Sequence, residues 1–233
     1  MSMHDALAAD AASRSQVWWL LSRLYLECPD AAFIGELANA VHREGNERSG
    51  SDDILSALSS SLEQDPAELA ADLLPEYTRL LRGILKDYGP PPPYESLYRG
   101  DNLMGDVTVW VTQSYRDAGF EDIYPEAGPP DHIGVELRFL ALLCFRESEA
   151  LSSGDEAVAT RYREHQCNFI ERHLMAWVPA LAEKLIAQSR APFYTAVARM
   201  TLQLVELAHA DLTVSLDGTQ IAFEADLSHI AWG

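Results

Sequence analysis

The chain has 233 residues, with 36 acidic against 17 basic side chains and a net charge of −19. That balance is the wrong sign for nucleic acid, whose phosphates need a basic face, whereas cationic partners such as basic peptide segments are drawn in. No run approaches the eighteen or so apolar residues of a membrane span. The opening Met1-Ser-Met-His-Asp-Ala lacks the basic and apolar regions of a signal peptide, so the chain reads as soluble and cytoplasmic, without stable membrane insertion.

Ser13 or Ser15 is expected to cap a first helix carrying Val17, Trp18, Leu20, Leu21, Leu24 and Tyr25, which ends before Pro29. Trp18 and Trp19 cannot both face one core, so one of them is expected at the surface. Asp30 opens a second helix through Phe33, Ile34, Leu37 and Val41, and Glu44 to Ser51 is a polar turn cluster. A short helix over Asp53 to Leu62 follows. Asp65-Pro66-Ala67-Glu68 is a capping box with proline at the first helical position. Pro75 either kinks the helix it starts or opens a new one through Tyr77, Leu80, Leu81, Ile84 and Leu85.

The stretch from Gly89 to Gly100 holds four consecutive prolines, Pro90 to Pro93, which fix polyproline II and set Tyr94, Glu95 and Tyr98 on a stiff ledge. Met104 to Ala118 reads as a helix stopped by Gly119. Gly128, Pro129 and Pro130 then forbid helix, Asp131 is a good N-cap, and Ile133, Leu137, Leu140 and Ala141 recur at helical spacing as far as Leu151. That junction sets an acid and an imidazole, Asp131 and His132, at the positive end of a buried helix.

Asp155 caps a further helix through Val158, Tyr162, Phe169 and Ile170, and after Trp177, Val178 and Pro179 another runs to about Gln188. Pro192 opens a last one with Phe193, Val197, Met200, Leu204, Val205 and Leu207 on its apolar face. Thr213 to Leu216, the turn Asp217-Gly218 and Gln220 to Phe223 suggest a small C-terminal hairpin or an irregular tail. About ten helices in residues 1–233 make an all-α domain, with two sub-lobes, 1–119 and 131–233, joined by 120–130 as the alternative organisation.

Catalytic signatures are sparse. There is no Gly-x-Ser-x-Gly elbow, phosphate-binding loop or dinucleotide fingerprint. Glu206-Leu-Ala-His209 is one of the two Glu-x-x-His pairs that a di-iron bundle needs, and Asp226-Leu-Ser-His229 is only a weak second. No third triad member declares itself beside Asp131 and His132. Cys28, Cys144 and Cys167, an odd number without Cys-x-x-Cys spacing, read as buried reduced thiols. Neither a metal nor a cofactor is expected. The enzymatic alternatives are a helical-bundle metalloprotein or a nucleotide hydrolase. An interaction scaffold would instead use the proline ledge as a ligand for proline-reading domains.

Gly89 to Tyr98 and Pro130-Asp131-His132-Ile133 through Glu136-Leu137-Arg138-Phe139 resemble, in order and separation, two segments of the TorD/DmsD/NarJ family of redox-enzyme maturation chaperones. Ala191 to Arg199 is similar to the same family. The resemblance implies an all-helical cytoplasmic chaperone. Such a chaperone binds the twin-arginine signal peptide or the body of a molybdopterin-containing oxidoreductase subunit until cofactor insertion allows export. Carried over by position, the family's signature residues are Tyr94, Glu95, Ser96 and Tyr98 in the first loop and Pro130, Asp131, His132 and Glu136 in the second, and all of them but Pro130 are the expected client-binding residues. The chain has no Arg-Arg pair, as expected of a reader of such leaders.

A twin-arginine leader presents two guanidinium forks before an apolar run. Glu95, Asp131 and Glu136 beside Tyr94 and Tyr98 match that chemistry if the two loops converge. The residues leave a second assignment open, in which Asp131 caps its own helix, Glu136 pairs with Arg99 or Arg138, and binding lies elsewhere on the helical surface. Also open are the identity of the client, whether its leader or its mature body dominates, and whether the protein is a monomer or a dimer swapped across Gly119–Pro130.

Overall fold

In the computed structural model, residues 3–45, 58–83, 89–121 and 123–216 are described. Their regular structure is helical apart from one isolated bridge between Tyr94 and His132. The elements are α1 Met3–Leu26, α2 Ala31–Gly45, α3 Pro66–Leu81, α4 Glu95–Tyr98, α5 Asp106–Asp117, α6 Ile133–Ser152, α7 Glu156–Phe169, α8 Met175–Gln188 and α9 Pro192–Leu216. A 3₁₀ turn spans Pro125–Ala127, and a π-helical segment, Ile170–Leu174, joins α7 to α8. Most of the Glu44–Ser51 turn cluster, the start of the Asp53–Leu62 helix, Ile84, Leu85 and everything beyond Leu216 lie outside the described residues.

Where a local cap dictates a start, it is found. Asp30 Oδ1 accepts Phe33 N–H at 2.8 Å, Asp65 Oδ1 accepts Ala67 and Glu68 N–H at 2.9 and 3.2 Å, and Asp155 Oδ1 accepts Val158 N–H at 3.1 Å. Other expectations need correction. α1 begins well before Ser13, because alanines at 6, 8, 9, 11 and 12 sustain helix and the serines bond elsewhere: Ser13 Oγ donates to Ala9 O and Ser15 Oγ to Ala141 O. Pro75 sits within an unbroken α3. α5 starts at Asp106, not Met104, with Asp101 accepting Val107 N–H from outside the helix.

Trp177 to Pro179 does not break the chain. The π segment carries it from α7 into α8, Met175 N–H reaching back to Ile170 O. Thr213 to Leu216 is helical, at the end of α9, not a strand. Of the cysteines only Cys144 is buried; Cys28 is exposed and Cys167 is intermediate.

α6 is the axis of the molecule. From Asp131 to Ala141 every residue is buried, as expected of a helix that is apolar nearly all round. α1 lies along it on one side and α7 on another, α8 packs on α9, and α2 on α3. The close α1 approach is set by Gly134, where a Cβ would meet Leu26 Cγ and crowd Ser22 O. One apolar cluster from Val17 to Leu212 fills the interior. Trp18 belongs to it, whereas Trp19 is 44 % exposed.

Candidate functional site

The two proline-bearing loops meet. Ile133 N–H donates to Pro93 O at 2.9 Å and Glu95 N–H to Asp131 O at 2.8 Å, the bonds that flank the Tyr94–His132 bridge. The Tyr94 and His132 rings stand edge to face, with centroids 5.0 Å apart. Two features deliver the first loop here. Gly89 rests on the Arg79 carbonyl of α3, where any side chain would collide, and the proline run ends in a tight turn in which Tyr94 N–H donates to Pro92 O at 2.8 Å. At Tyr94 it turns into α4, so Glu95 to Tyr98 form one helical turn and not the continuation of a polyproline ledge.

Asp131 caps a helix, but not its own. Its Oδ2 accepts Ser96 N–H at 3.0 Å, in the first turn of α4, and its Oδ1 accepts the Thr108 hydroxyl of α5 at 3.1 Å. The N-cap of α6 is His132, whose Nδ1 accepts Gly134 N–H at 3.1 Å. Burial, with Arg82 contributing, pushes the His132 imidazole down to about 3. It is therefore neutral at physiological pH, which the acceptor role of Nδ1 requires.

Glu95 and Glu136 form the acidic heart. Glu95 Oε1 accepts Arg99 Nη1 at 2.6 Å, and Oε2 accepts His173 Nδ1 at 2.9 Å. His173 Nε2 lies 3.0 Å from Ser114 Oγ. Glu136 Oε2 accepts the Trp177 indole N–H at 3.1 Å, while its Oε1 has no partner. Burial and then the neighbouring Glu95 carboxylate hold Glu136 well above the usual carboxyl range. The fold thus favours the protonated form of Glu136, the form that does not repel its acidic neighbour. Arg138 does not pair with Glu136; its guanidinium lies between the Trp19 and Tyr124 rings, 4.3 and 4.2 Å from their centroids.

The expected client-binding residues Tyr94, Glu95, Ser96, Tyr98, Asp131, His132 and Glu136, with the signature residue Pro130 just before Asp131, are therefore gathered at one place, though not as an open acidic mouth. Glu95, Ser96, Asp131 and Glu136 are 0 % exposed, His132 is 6 %, and only Tyr94 and Tyr98 are part-exposed. The acids face inward because each serves backbone or side-chain donors from other elements. Tyr98 packs on Trp177, with ring centroids 5.4 Å apart, and donates to Pro91 O at 2.9 Å.

Outside this cluster lies a cavity of about 410 Å³ bordered by Arg99, Trp110, Asp117, Arg172 and His173. Beside it along the chain, Leu103, Met104, Val109 and Trp110 are exposed apolar residues. A second, larger hollow of about 560 Å³ lies between α1 and α6, walled by Trp19, Leu20, Leu142 and Phe145. Sequence reasoning offered Arg99 as a partner of Glu136, whereas it pairs with Glu95, and it gave no site role to Trp110 or His173. The i, i+4 spacing of Glu95 and Arg99 was the available signal for the first, and nothing local marks the other two. Glu206 of the Glu-x-x-His pair is exposed, so that pair does not point into the bundle. Among the described residues no group of three His, Cys, Asp or Glu is arranged to hold a metal ion.

Comparison with known proteins places the chain among named relatives. The chain is similar to the chaperone protein TorD of Vibrio cholerae, 25% identical over 204 residues that cover 83% of this chain and 89% of the relative. It is also similar to TorD of Shewanella pealeana, 28% identical over 213 residues covering 83% and 86%. The selenate reductase assembly chaperone protein of Thauera selenatis is 40% identical over a shorter stretch of 62 residues, 27% of this chain and 31% of the relative. The model of the nitrate reductase delta subunit family matches residues 44–183, more than half of the chain and both of its proline-bearing loops. The chain belongs to the nitrate reductase delta subunit family.

Proposed function

We propose that this protein is a cytoplasmic maturation chaperone that holds the apo-form of a molybdenum-containing oxidoreductase catalytic subunit, its twin-arginine leader, or both, until the cofactor is inserted. It acts by binding and not by catalysis. Similarity over most of the chain to proteins named as TorD and as reductase assembly chaperones supports the reading. The observation that carries it is the pairing of the two signature loops, 35 positions apart at Ser96 and Asp131, on one buried polar cluster beside an exposed aromatic and apolar surface. No helix among the described residues is long and apolar enough to cross a membrane.

The physical division of labour is as follows. The buried acids organise the turn that presents Tyr94, Tyr98, Arg99 and the start of α5. Exposed Leu103, Met104, Val109 and Trp110 offer apolar area to the client, each buried client leucine contributing roughly 1.5–3 kcal/mol before ordering losses. The test is co-expression with a molybdoenzyme catalytic subunit, with and without cofactor synthesis. A stable complex with the apo-subunit that dissociates on cofactor loading is expected. Absence of a complex with any apo-subunit or leader defeats the proposal.

A further inference from the structure

Glu95 is fully buried and has two side-chain partners from its own chain: Arg99 on Oε1 at 2.6 Å, and His173 Nδ1 on Oε2 at 2.9 Å and more loosely on Oε1 at 3.2 Å. The two differ in how firmly they are held. His173 is buried and locked between Glu95 and Ser114. The Arg99 side chain is 29 % exposed, its guanidinium carbon 5.9 Å from the Trp110 ring centroid. It hangs from the last residues of a four-residue turn, followed at once by Gly100 with φ 76° and no atom near the place a Cβ would take. A buried carboxylate, an exposed indole face and an adjoining 410 Å³ cavity make a receptor for one guanidinium, and Arg99 occupies it.

We infer that Arg99 is a built-in stand-in for an arginine of the client leader, and that leader binding proceeds by exchange of one guanidinium for the other on Glu95. This rests on the leader-binding reading above. Exchange, not addition, follows from the charges. Arg99 and Arg172 border the cavity against one carboxylate, Asp117, and Arg99 holds Glu95 Oε1, so another guanidinium reaches that buried carboxylate only if Arg99 leaves, and the carboxylate keeps a cationic partner only if the newcomer replaces it. Swapping like for like keeps that carboxylate paired throughout. Lysine is a poorer substitute, because the planar fork both reaches the carboxylate and lies on the indole face. An anion is disfavoured as the occupant, since the charge of Arg99 is already engaged by Glu95.

The experiment is calorimetric titration of the full chain with a twin-arginine leader peptide and its Lys-Lys variant, using wild type, Arg99→Ala, Arg99→Lys and Glu95→Gln. Thermal melts confirm that each protein is folded. Removing the competitor is expected to tighten leader binding about fivefold in Arg99→Ala, and Glu95→Gln to weaken it about tenfold or more. The Lys-Lys peptide is expected to bind weakly throughout. Should Arg99→Ala fail to fold, Arg99→Lys carries the test, with a gain of about twofold expected. Equal or weaker leader binding by a folded Arg99 variant overturns exchange and leaves leader binding standing. Failure of wild type and every variant to bind the leader overturns the leader-binding reading itself. Stabilisation of wild type by inorganic phosphate that is lost in Arg99→Ala makes the cavity an anion site and also overturns the inference.

Discussion

Asp131 and His132 are covalent neighbours, yet their side chains serve different helices, Asp131 receiving the Ser96 N–H and the Thr108 hydroxyl and His132 the Gly134 N–H. Removing the carboxylate leaves two buried donors unsatisfied, at about 1–3 kcal/mol each. Asp131→Ala is therefore expected to lower stability by roughly 2–4 kcal/mol, a fall on the order of 10 °C in Tm. Differential scanning calorimetry decides it. A Tm within about 2 °C of wild type would show that the bonds to α4 and α5 contribute little.

Glu136 makes the opposite case, a carboxyl on which burial and the neighbouring Glu95 favour the proton. Because its folded pKa lies above the ordinary value of 4.5, the folded state binds the proton more tightly than the unfolded chain does. Its contribution is fully present in acid and is lost as pH rises from that value through the raised one, at up to about 1.4 kcal/mol per pH unit. Glu136→Gln mimics the protonated form and removes that loss. The stability difference, variant minus wild type, measured by urea unfolding, is expected to grow with pH. His132, pushed down to about 3, loses stability in the other direction, on acidification below its ordinary value of 6.5, but it cancels in this comparison. A flat difference would mean that Glu136 is ionised in the fold.

At the scale of elements, a buried ion pair helps to join α1, α6 and α7. Arg14 Nη2 donates to both oxygens of Glu147 at 3.0 Å, Arg14 Nη1 donates to Gln166 Oε1 at 2.8 Å, and Gln166 Nε2 closes the ring on Glu147 at 2.7 Å. Arg14→Leu or Glu147→Leu alone strands a buried charge and is expected to cost about 3–5 kcal/mol. The double variant is expected to recover most of it, as a double-mutant cycle by urea denaturation will read. Strict additivity of the two would contradict a closed network.

The legibility of the elements follows the range of the interactions that end them. Asp30, Asp65, Asp155 and Pro192 act within three residues, and each marks its helix start correctly. Asp101, which caps α5 from outside, and the π segment at Ile170–Leu174 do not show in a 3.6-residue pattern. Nor does the inward turn of Glu95, since the exposed positions around it obey no period.

For the whole molecule, the charge of −19 draws in cationic peptides, among them the leader proposed as its ligand. Leader affinity is expected to weaken several-fold between about 50 and about 500 mM salt, mainly through a slower on-rate, as the screening length falls from about 14 Å to about 4 Å. Surface plasmon resonance at two ionic strengths checks this. An affinity indifferent to salt would mean that apolar contact alone recruits the leader.

Helix content, most helix starts and the two signature loops are written in local sequence, because capping, proline geometry and apolar periodicity act over a few residues. That the loops would pair is foreshadowed by their likeness to one family. Which donors Asp131, Glu95 and Glu136 serve was decided only by tertiary packing, which brings Ser96, Thr108, His173 and Trp177 to them from three separate stretches. A carboxylate's role depends on whether water or protein surrounds it, and burial is a property of the assembled helices, not of the residues beside it in the chain.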